Sequence, residues 1–175
     1  MIRKIGFIAA VAVAATSGAA FAQASATVST TGTTRILQAI TITKNSDLAF
    51  GSIVRSATAG TNTVTINATT GARTITGAGG GVLATSTSGR ATYTVDGEGG
   101  QTFSITPDAT FNMTRVGGSE TITVTPTASS ATGTLSGSIG SAGSVAIGVG
   151  GSFPVTNTTV TGNYTGTFNV VVAYN

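Results

Sequence analysis

The C-terminal stretch, residues 162–175, reads GNYTGTFNVVVAYN and carries the most regular pattern in the chain. Every second position from Tyr164 to Tyr174 is apolar or glycine, and successive side chains of a β-strand point to opposite faces. The spacing predicts a long strand over 163–174 with one apolar face. That face must be covered, and at a sheet edge the backbone also needs a partner. The pattern leaves open that this is an ordinary last strand of a sandwich.

Shorter runs with the same alternation fill the chain before this stretch. Thr and Val, which are β-branched and favour strands, dominate these runs, and turns rich in Gly, Ser, Asn and Thr separate them. The pattern predicts one all-β domain, a sandwich or a barrel, with loops at 77–89 and 128–143. The predicted strands are Ile36–Thr43, Leu48–Val54, Asn62–Asn67, Arg73–Thr76, Arg90–Val95, Thr102–Thr106, Thr121–Thr125, Ser144–Val149, Phe153–Thr156 and Asn163–Tyr174.

Three of these strands show which face is buried. The apolar pairs at a spacing of two are Tyr93 with Val95, Phe103 with Ile105, and Ile122 with Val124. Residues 96–100 lie between the first two strands and predict a Gly-rich hairpin loop, where we expect Asp96 and Glu98 to be solvated.

The N-terminal end predicts a secretory signal peptide, residues 1–22. Arg3 and Lys4 precede an apolar run of 11 residues, and Ala20 and Ala22 form a small-x-small cleavage site. The apolar run is too short for a membrane-spanning helix, which needs about 20 residues. We therefore expect a mature chain that begins at Gln23, does not span a membrane, and passes through the periplasm to the cell surface.

Composition excludes several classes of function. The chain has no Cys and no His, so it lacks a disulfide, a thiol nucleophile, a His proton shuttle and soft metal ligands. When Arg3 and Lys4 leave with the signal, eight basic residues become six against five acidic ones, a net charge of +1. The remaining basic residues do not cluster, so we expect no nucleic-acid partner. We predict that the protein is not an enzyme and has no metal and no cofactor.

Carboxylates keep one enzyme hypothesis open, because two of them suffice for glycoside hydrolysis. That hypothesis requires two of the five acidic side chains to converge in a cleft. The five are Asp47, Asp96, Glu98, Asp108 and Glu120.

Two stretches of the chain carry a resemblance to a known family. Residues 39–54, AITITKNSDLAFGSIV, resemble the opening of a bacterial secreted family, the domain of unknown function 4402, some members of which are described as Mat/Ecp-type fimbrial major subunits. Residues 162–175 are similar to the close of that family. They also resemble the end of chaperone–usher pilins, with Gly162 at the fourteenth position from the end and Tyr174 at the penultimate one.

The resemblance implies an incomplete immunoglobulin-like β-sandwich, residues 35–175, with an open groove beside the terminal strand. The residues implied at that groove edge are Gly162, Tyr164, Phe168, Val170, Val172 and Tyr174. A periplasmic chaperone would fill the groove first, and the N-terminal extension of the next subunit would fill it in a fibre. Such an added strand gains backbone hydrogen bonds and apolar burial.

The candidate donor strand is the extension of residues 23–34. Its members on one face are Ala24, Ala26, Val28 and Thr30. We expect a structural subunit of an extracellular fimbria or surface layer, with copies of itself or sister subunits, a periplasmic chaperone and an outer-membrane usher as partners. The alternative is a monomeric, surface-located binding or adhesion module in which residues 23–34 complete their own domain.

Overall fold

The computed structural model describes residues 25–175. The predicted cleavage-site residues and the first donor residue lie outside the described part: Ala20, Ala22, Gln23 and Ala24. The chain divides into an N-terminal unit that ends at Thr34 and a domain of residues 35–175. In the described part of the N-terminal unit, 25–34, every residue is exposed and none belongs to a strand.

The domain is an all-β, antiparallel sandwich, which confirms the predicted fold class. Within the described residues it contains strands and no helix. No helix that could cross a membrane is therefore found in this part of the chain. The strands are β1 Thr41–Ser46, β2 Ile53–Val54, β3 Thr61–Ile66, β4 Arg73–Gly77, β5 Val82–Leu83, β6 Ala91–Glu98, β7 Thr102–Pro107, β8 Phe111–Arg115, β9 Thr121–Ala128, β10 Thr132–Thr134, β11 Ala142–Thr156, β12 Tyr164–Thr165 and β13 Val170–Tyr174.

Two main sheets form the layers of the sandwich. The larger sheet has the order β1-β6-β11-β9-β8-β12, with β3 beside β11 and β4 beside β3. The smaller sheet has the order β10-β7-β13, and β2 with β5 forms a separate short pair. Strand β1 therefore lies at one margin of the larger sheet, and β13 lies at one margin of the smaller sheet.

Strand β11, which has 15 residues, joins the parts of the larger sheet. Its first half pairs with β6 and its second half with β3, while β9 pairs with its middle. Gly150 lies where the partner changes, and a Cβ atom there would collide with the backbone oxygen of Ile66. Glycine therefore lets the chain after β3 approach β11 closely at this point.

Two apolar cores lie along β11. The first packs between the two sheets and contains Ala91, Tyr93, Val95, Phe103, Ile105, Leu135, Ile147 and Val149. The second packs under residues 48–53 and contains Phe50, Val64, Ile66, Val124, Phe153 and Val155. The predicted inward faces of β6, β7 and β9 are confirmed, since Val95, Phe103 and Val124 are fully buried.

The C-terminal pattern forms two strands, β12 and β13, rather than the single long strand predicted. The stretch changes partner, because β12 pairs with β8 and β13 pairs with β7. Between them, the backbone N–H of Asn169 donates to the Asp108 carboxylate over 2.8 Å, and the Asp108 N–H donates to the Asn169 carbonyl over 3.0 Å. This exchange fixes the break where the turn between β7 and β8 begins.

Other strand boundaries also differ from the predictions. The predicted strand 36–43 begins only at Thr41. Most of 48–54 lies outside regular strands, with a bridge between Ala49 and Gly89 and a positive φ at Gly51. The two strands predicted at 144–149 and 153–156 form the single strand β11, because residues 150–152 between them also pair with β9. Strands β5 and β10 are short and lie in the predicted loops 77–89 and 128–143, and β8 was also not predicted.

The close approach at β11 predicts a sharp difference between two glycines. We expect Gly150→Ala to lower the free energy of unfolding by about 1–3 kcal/mol, because a backbone atom must move to admit the methyl group. Gly89→Ala is the control, since no heavy atom lies within 4 Å of its added Cβ, and it should change stability by less than about 0.5 kcal/mol. Urea unfolding measures both, and equal losses would contradict the packing argument.

Candidate functional site

Two strand edges border the domain without pairing with each other. One belongs to residues 41–55, in which β1 pairs with β6 and β2 pairs with β5. The other belongs to the C-terminal stretch, residues 162–174, in which β12 pairs with β8 and β13 with β7. Within residues 25–175, no strand pairs with the second edge of either stretch. Both edges therefore present backbone N–H and C=O groups that no neighbouring strand satisfies.

A groove separates these two edges. Its wider part is a cavity of about 540 Å³ between residues 48–55 and residues 159–164. The narrower part, about 280 Å³, continues between residues 44–50 and 164–168. The apolar side chains that line the two parts include Leu48, Phe50, Ile53, Phe111, Met113, Ile122, Phe153, Val155, Val160 and Phe168. The groove thus opens the second core to its surroundings.

Aromatic pairs build the groove floor. The rings of Phe50 and Phe153 meet edge to face with centroids 4.8 Å apart, and those of Phe111 and Phe168 stack at 4.9 Å. Phe50 lies on one wall and Phe153 on β11, whereas Phe168 on the C-terminal stretch lies beside Phe111 on β8, the strand with which that stretch pairs. The floor is therefore a formed surface, because such contacts favour one geometry of the rings.

Beyond the narrower part of the groove, the chain before β1 and the end of β13 are joined by a hydrogen-bond cluster that we call the closed-end latch: Gln38, Glu98, Gly140 and Tyr174. The Tyr174 hydroxyl donates to the Gln38 carbonyl over 2.8 Å and accepts from the Glu98 N–H over 2.7 Å. The Glu98 carboxylate accepts from the backbone N–H groups of Gly140 and Gln38. The latch ties the start of the domain to its C-terminal strand.

Glu98 is not the solvated loop residue that we expected. It ends strand β6, and only 6% of its surface is exposed. The hydrogen bonds from the N–H groups of Gly140 and Gln38 stabilise its charged form and lower the pKa of its carboxyl. No feature of the sequence marks these partners, because both are backbone groups distant along the chain.

The other end of the groove, which we call the open end, is spanned by one contact. The Arg55 guanidinium donates to the Thr159 carbonyl over 2.6 Å. Gly162 lies beside it with a φ of +151°, a conformation that favours glycine, and its Cα packs against the side chain of Arg115. Glycine satisfies both requirements at this edge of the groove, because it adopts a positive φ and has no Cβ atom to collide with Arg115.

An ion pair between Arg115 and Glu120 lies beside Gly162 at the open end. The Arg115 Nε lies 2.7 Å from the Glu120 carboxylate, and a second nitrogen of the guanidinium lies 3.0 Å from its other oxygen. These hydrogen bonds lower the pKa of Glu120 to about 2, so the pair stays charged well into acid. The bidentate geometry keeps the Arg115 stem in place under Gly162.

Arg73 holds the opposite wall. Its guanidinium donates to the carbonyls of Phe50 at 2.7 Å, Ser52 at 3.1 Å and Ala84 at 2.6 Å. Residues 50–52 lie outside regular strands, so these bonds replace the missing ladder. The sequence analysis assigned Arg73 only to a strand and missed this role.

The structure places the predicted groove-edge residues as follows. Tyr164 and Phe168 line the groove, and Gly162 lies at its open end. Val170, Val172 and Tyr174 pack against the first core instead. The described donor residues Ala26, Val28 and Thr30 are exposed, and their role as a donor strand stays a prediction.

Four of the five acidic residues have separate structural partners. Asp47 pairs with Lys44 at 2.6 Å, and the carboxylates of Glu98, Asp108 and Glu120 hold the contacts described above. Among residues 25–175, no group of three or more His, Cys, Asp or Glu side chains could hold a metal ion.

The latch predicts a specific acid sensitivity. Because the folded protein lowers the pKa of Glu98, this group stabilises the fold above about pH 4.5 and loses that effect as the pH falls through its folded pKa. We expect Glu98→Gln to flatten the acid limb of stability against pH in thermal unfolding. Tyr174→Phe should lower stability by about 1–3 kcal/mol across that range.

The control for this prediction is Asp96→Asn on the same strand, since no hydrogen bond reaches the Asp96 carboxylate from the described residues. An Asp96→Asn profile that flattens as much as that of Glu98→Gln would contradict the assignment.

Comparison with known proteins gives one match. The family model described as domain of unknown function (DUF4402) matches residues 40–174. No curated protein and no solved structure matches the chain. The matched range includes both walls of the groove and nearly all of the two stretches that carry the sequence resemblance. The chain therefore belongs to the DUF4402 family.

Proposed function

We propose that this protein is a structural subunit of an extracellular fimbria-like fibre or surface layer, assembled by donor-strand complementation. The observation that carries the proposal is the groove between two unpaired strand edges, with an apolar floor between them. A single added strand would supply hydrogen bonds to an edge and cover the floor at once. This is the physical requirement of donor-strand complementation.

The dimensions of the groove support an inserted strand. Residues 162–168 line it, and the whole edge of residues 162–174 would extend about 40 Å at about 3.3 Å per residue. The ten described residues of the extension, 25–34, would extend about 33 Å as a strand. An inserted strand of that length gains about 1 kcal/mol net per hydrogen bond, plus about 25 cal/mol for each Å² of apolar surface that it buries.

The N-terminal extension has the chemistry of such a strand. Residues 23–34 contain no charged side chain, so insertion over the apolar floor would bury no charge. Val28 is the one large apolar residue of 25–34 and is 86% exposed. In a strand, Val28 would share a face with Ala26 and Thr30, which are small enough to fit a shallow groove.

The proposal extends to the cellular setting. The predicted signal peptide would send the chain across the inner membrane, and cleavage would free Gln23 as the start of the donor strand. A periplasmic chaperone would cover the groove before assembly, and an outer-membrane usher would pass the subunits to the surface. Copies of this chain or sister subunits would then be the permanent partners.

Deletion of residues 23–34 tests the proposal. We expect the truncated mature protein to fold, because the deletion leaves the domain of residues 35–175, but to form no filaments in electron microscopy. Filaments from this variant would rule out the extension as donor. A monomeric full chain that loses thermal stability on deletion would instead support the self-completed binding module.

A matched pair of point variants tests the face of the donor strand. Val28→Asp would place a charge over the apolar floor and should abolish filaments. Ser29→Asp introduces the same charge on the opposite face and should allow them. Equal behaviour of the two variants would contradict insertion as a strand.

A further inference from the structure

Three valines surround the open end of the groove with their side chains exposed. Val54 and Val82 lie directly opposite each other in the β2–β5 pair and are 56% and 59% exposed. Val160, on the other lip, is 41% exposed. Ile53 next to Val54 turns inward and lines the groove. We call Val54, Val82 and Val160 the open-end valines. Val160 also lines the groove, whereas Val54 and Val82 belong to neither the groove nor the cores.

A fourth exposed residue lies just outside the extension. Ile36 is 87% exposed, and it precedes Gln38, which the latch holds at the closed end of the groove. The chain of each copy therefore joins its domain at the closed end. The open-end valines lie at the opposite end of the same groove.

This arrangement sets the direction in which a second copy would enter. At the closed end, the Tyr174–Gln38 bond bridges the two walls, and the domain's own chain already occupies the exit. The open end has the larger cavity and is crossed by the Arg55–Thr159 hydrogen bond, which an entering strand would displace. A strand that enters there would have its Thr34 at the open end, and Ile36 would follow about 7 Å further along an extended chain.

We propose that the open-end valines form a docking surface for Ile36 of a second copy of this chain. The proposal rests on the proposed function and adds a contact outside the groove. It matches an exposed apolar side chain that has no cover in its own domain with an exposed apolar patch where that side chain would arrive. Because the exit and the entry lie at opposite ends, the contact repeats head to tail and does not close.

The contact has a measurable consequence for the polymer. Burial of one isoleucine side chain at each junction should strengthen the junction about tenfold or more. We expect Ile36→Asp and Val82→Asp each to raise the concentration needed for polymerisation at least about tenfold, while circular dichroism shows an unchanged domain.

Thr127→Asp is the control, because Thr127 is exposed on β9 and belongs to neither wall of the groove. Light scattering against concentration measures polymerisation for the mature protein and each variant. The double variant Ile36→Lys with Val82→Asp should polymerise better than either single variant, since the new charges attract.

Normal polymerisation of Ile36→Asp, or an equal defect in Thr127→Asp, would overturn the docking contact and leave the groove proposal standing. A wild-type chain that never polymerises would overturn both. A defect in Ile36→Asp and Val82→Asp with rescue by the charge pair would establish the contact.

Discussion

A β-strand has two hydrogen-bonding edges, and the C-terminal stretch of this protein uses one of them. Strands β12 and β13 pair with β8 and β7, and their second edge faces a gap. Residues 41–55 border the gap from the other side with a similar free edge. Unpaired backbone groups beside an apolar floor favour an added strand, and the proposed strand complementation depends on this gap.

The rest of the domain keeps the gap open and shaped. The closed-end latch joins the walls at one end, while Arg55 crosses the other. Arg73 holds the wall at residues 50–52, where the regular ladder fails, and the Arg115–Glu120 pair supports the lip at Gly162. In each of these contacts a charged side chain holds irregular backbone in place through charge-assisted hydrogen bonds. Several of the few charged residues of the chain thus lie around the groove.

Alternation in the sequence predicted much of the fold. The inward faces of β6, β7 and β9 follow from apolar pairs at a spacing of two, because burial of one face dictates that period. The break between β12 and β13 could not be predicted from the sequence, because the apolar alternation continues across it. Only the change of partner strand, from β8 to β7, interrupts the ladder. Strand β11 was predicted as two strands, because glycines that permit close packing look like a turn.

The candidate site could be predicted only in part. The C-terminal wall could be predicted from the sequence, because Tyr164 and Phe168 belong to the alternating pattern. The roles of Glu98 and Arg73 were not, because their partners are backbone groups from distant parts of the chain. Long-range contacts of this kind leave no local signal in a single sequence.

The latch also has a mechanical consequence. In the proposed fibre, tension would enter each domain through a strand lying along residues 162–174 and leave through Gln38, which the Tyr174 hydroxyl ties to the same stretch. The load would then act along the strand axis, so that the hydrogen bonds of the inserted strand share it and must break together. Such a junction resists pulling far better than one peeled open a bond at a time.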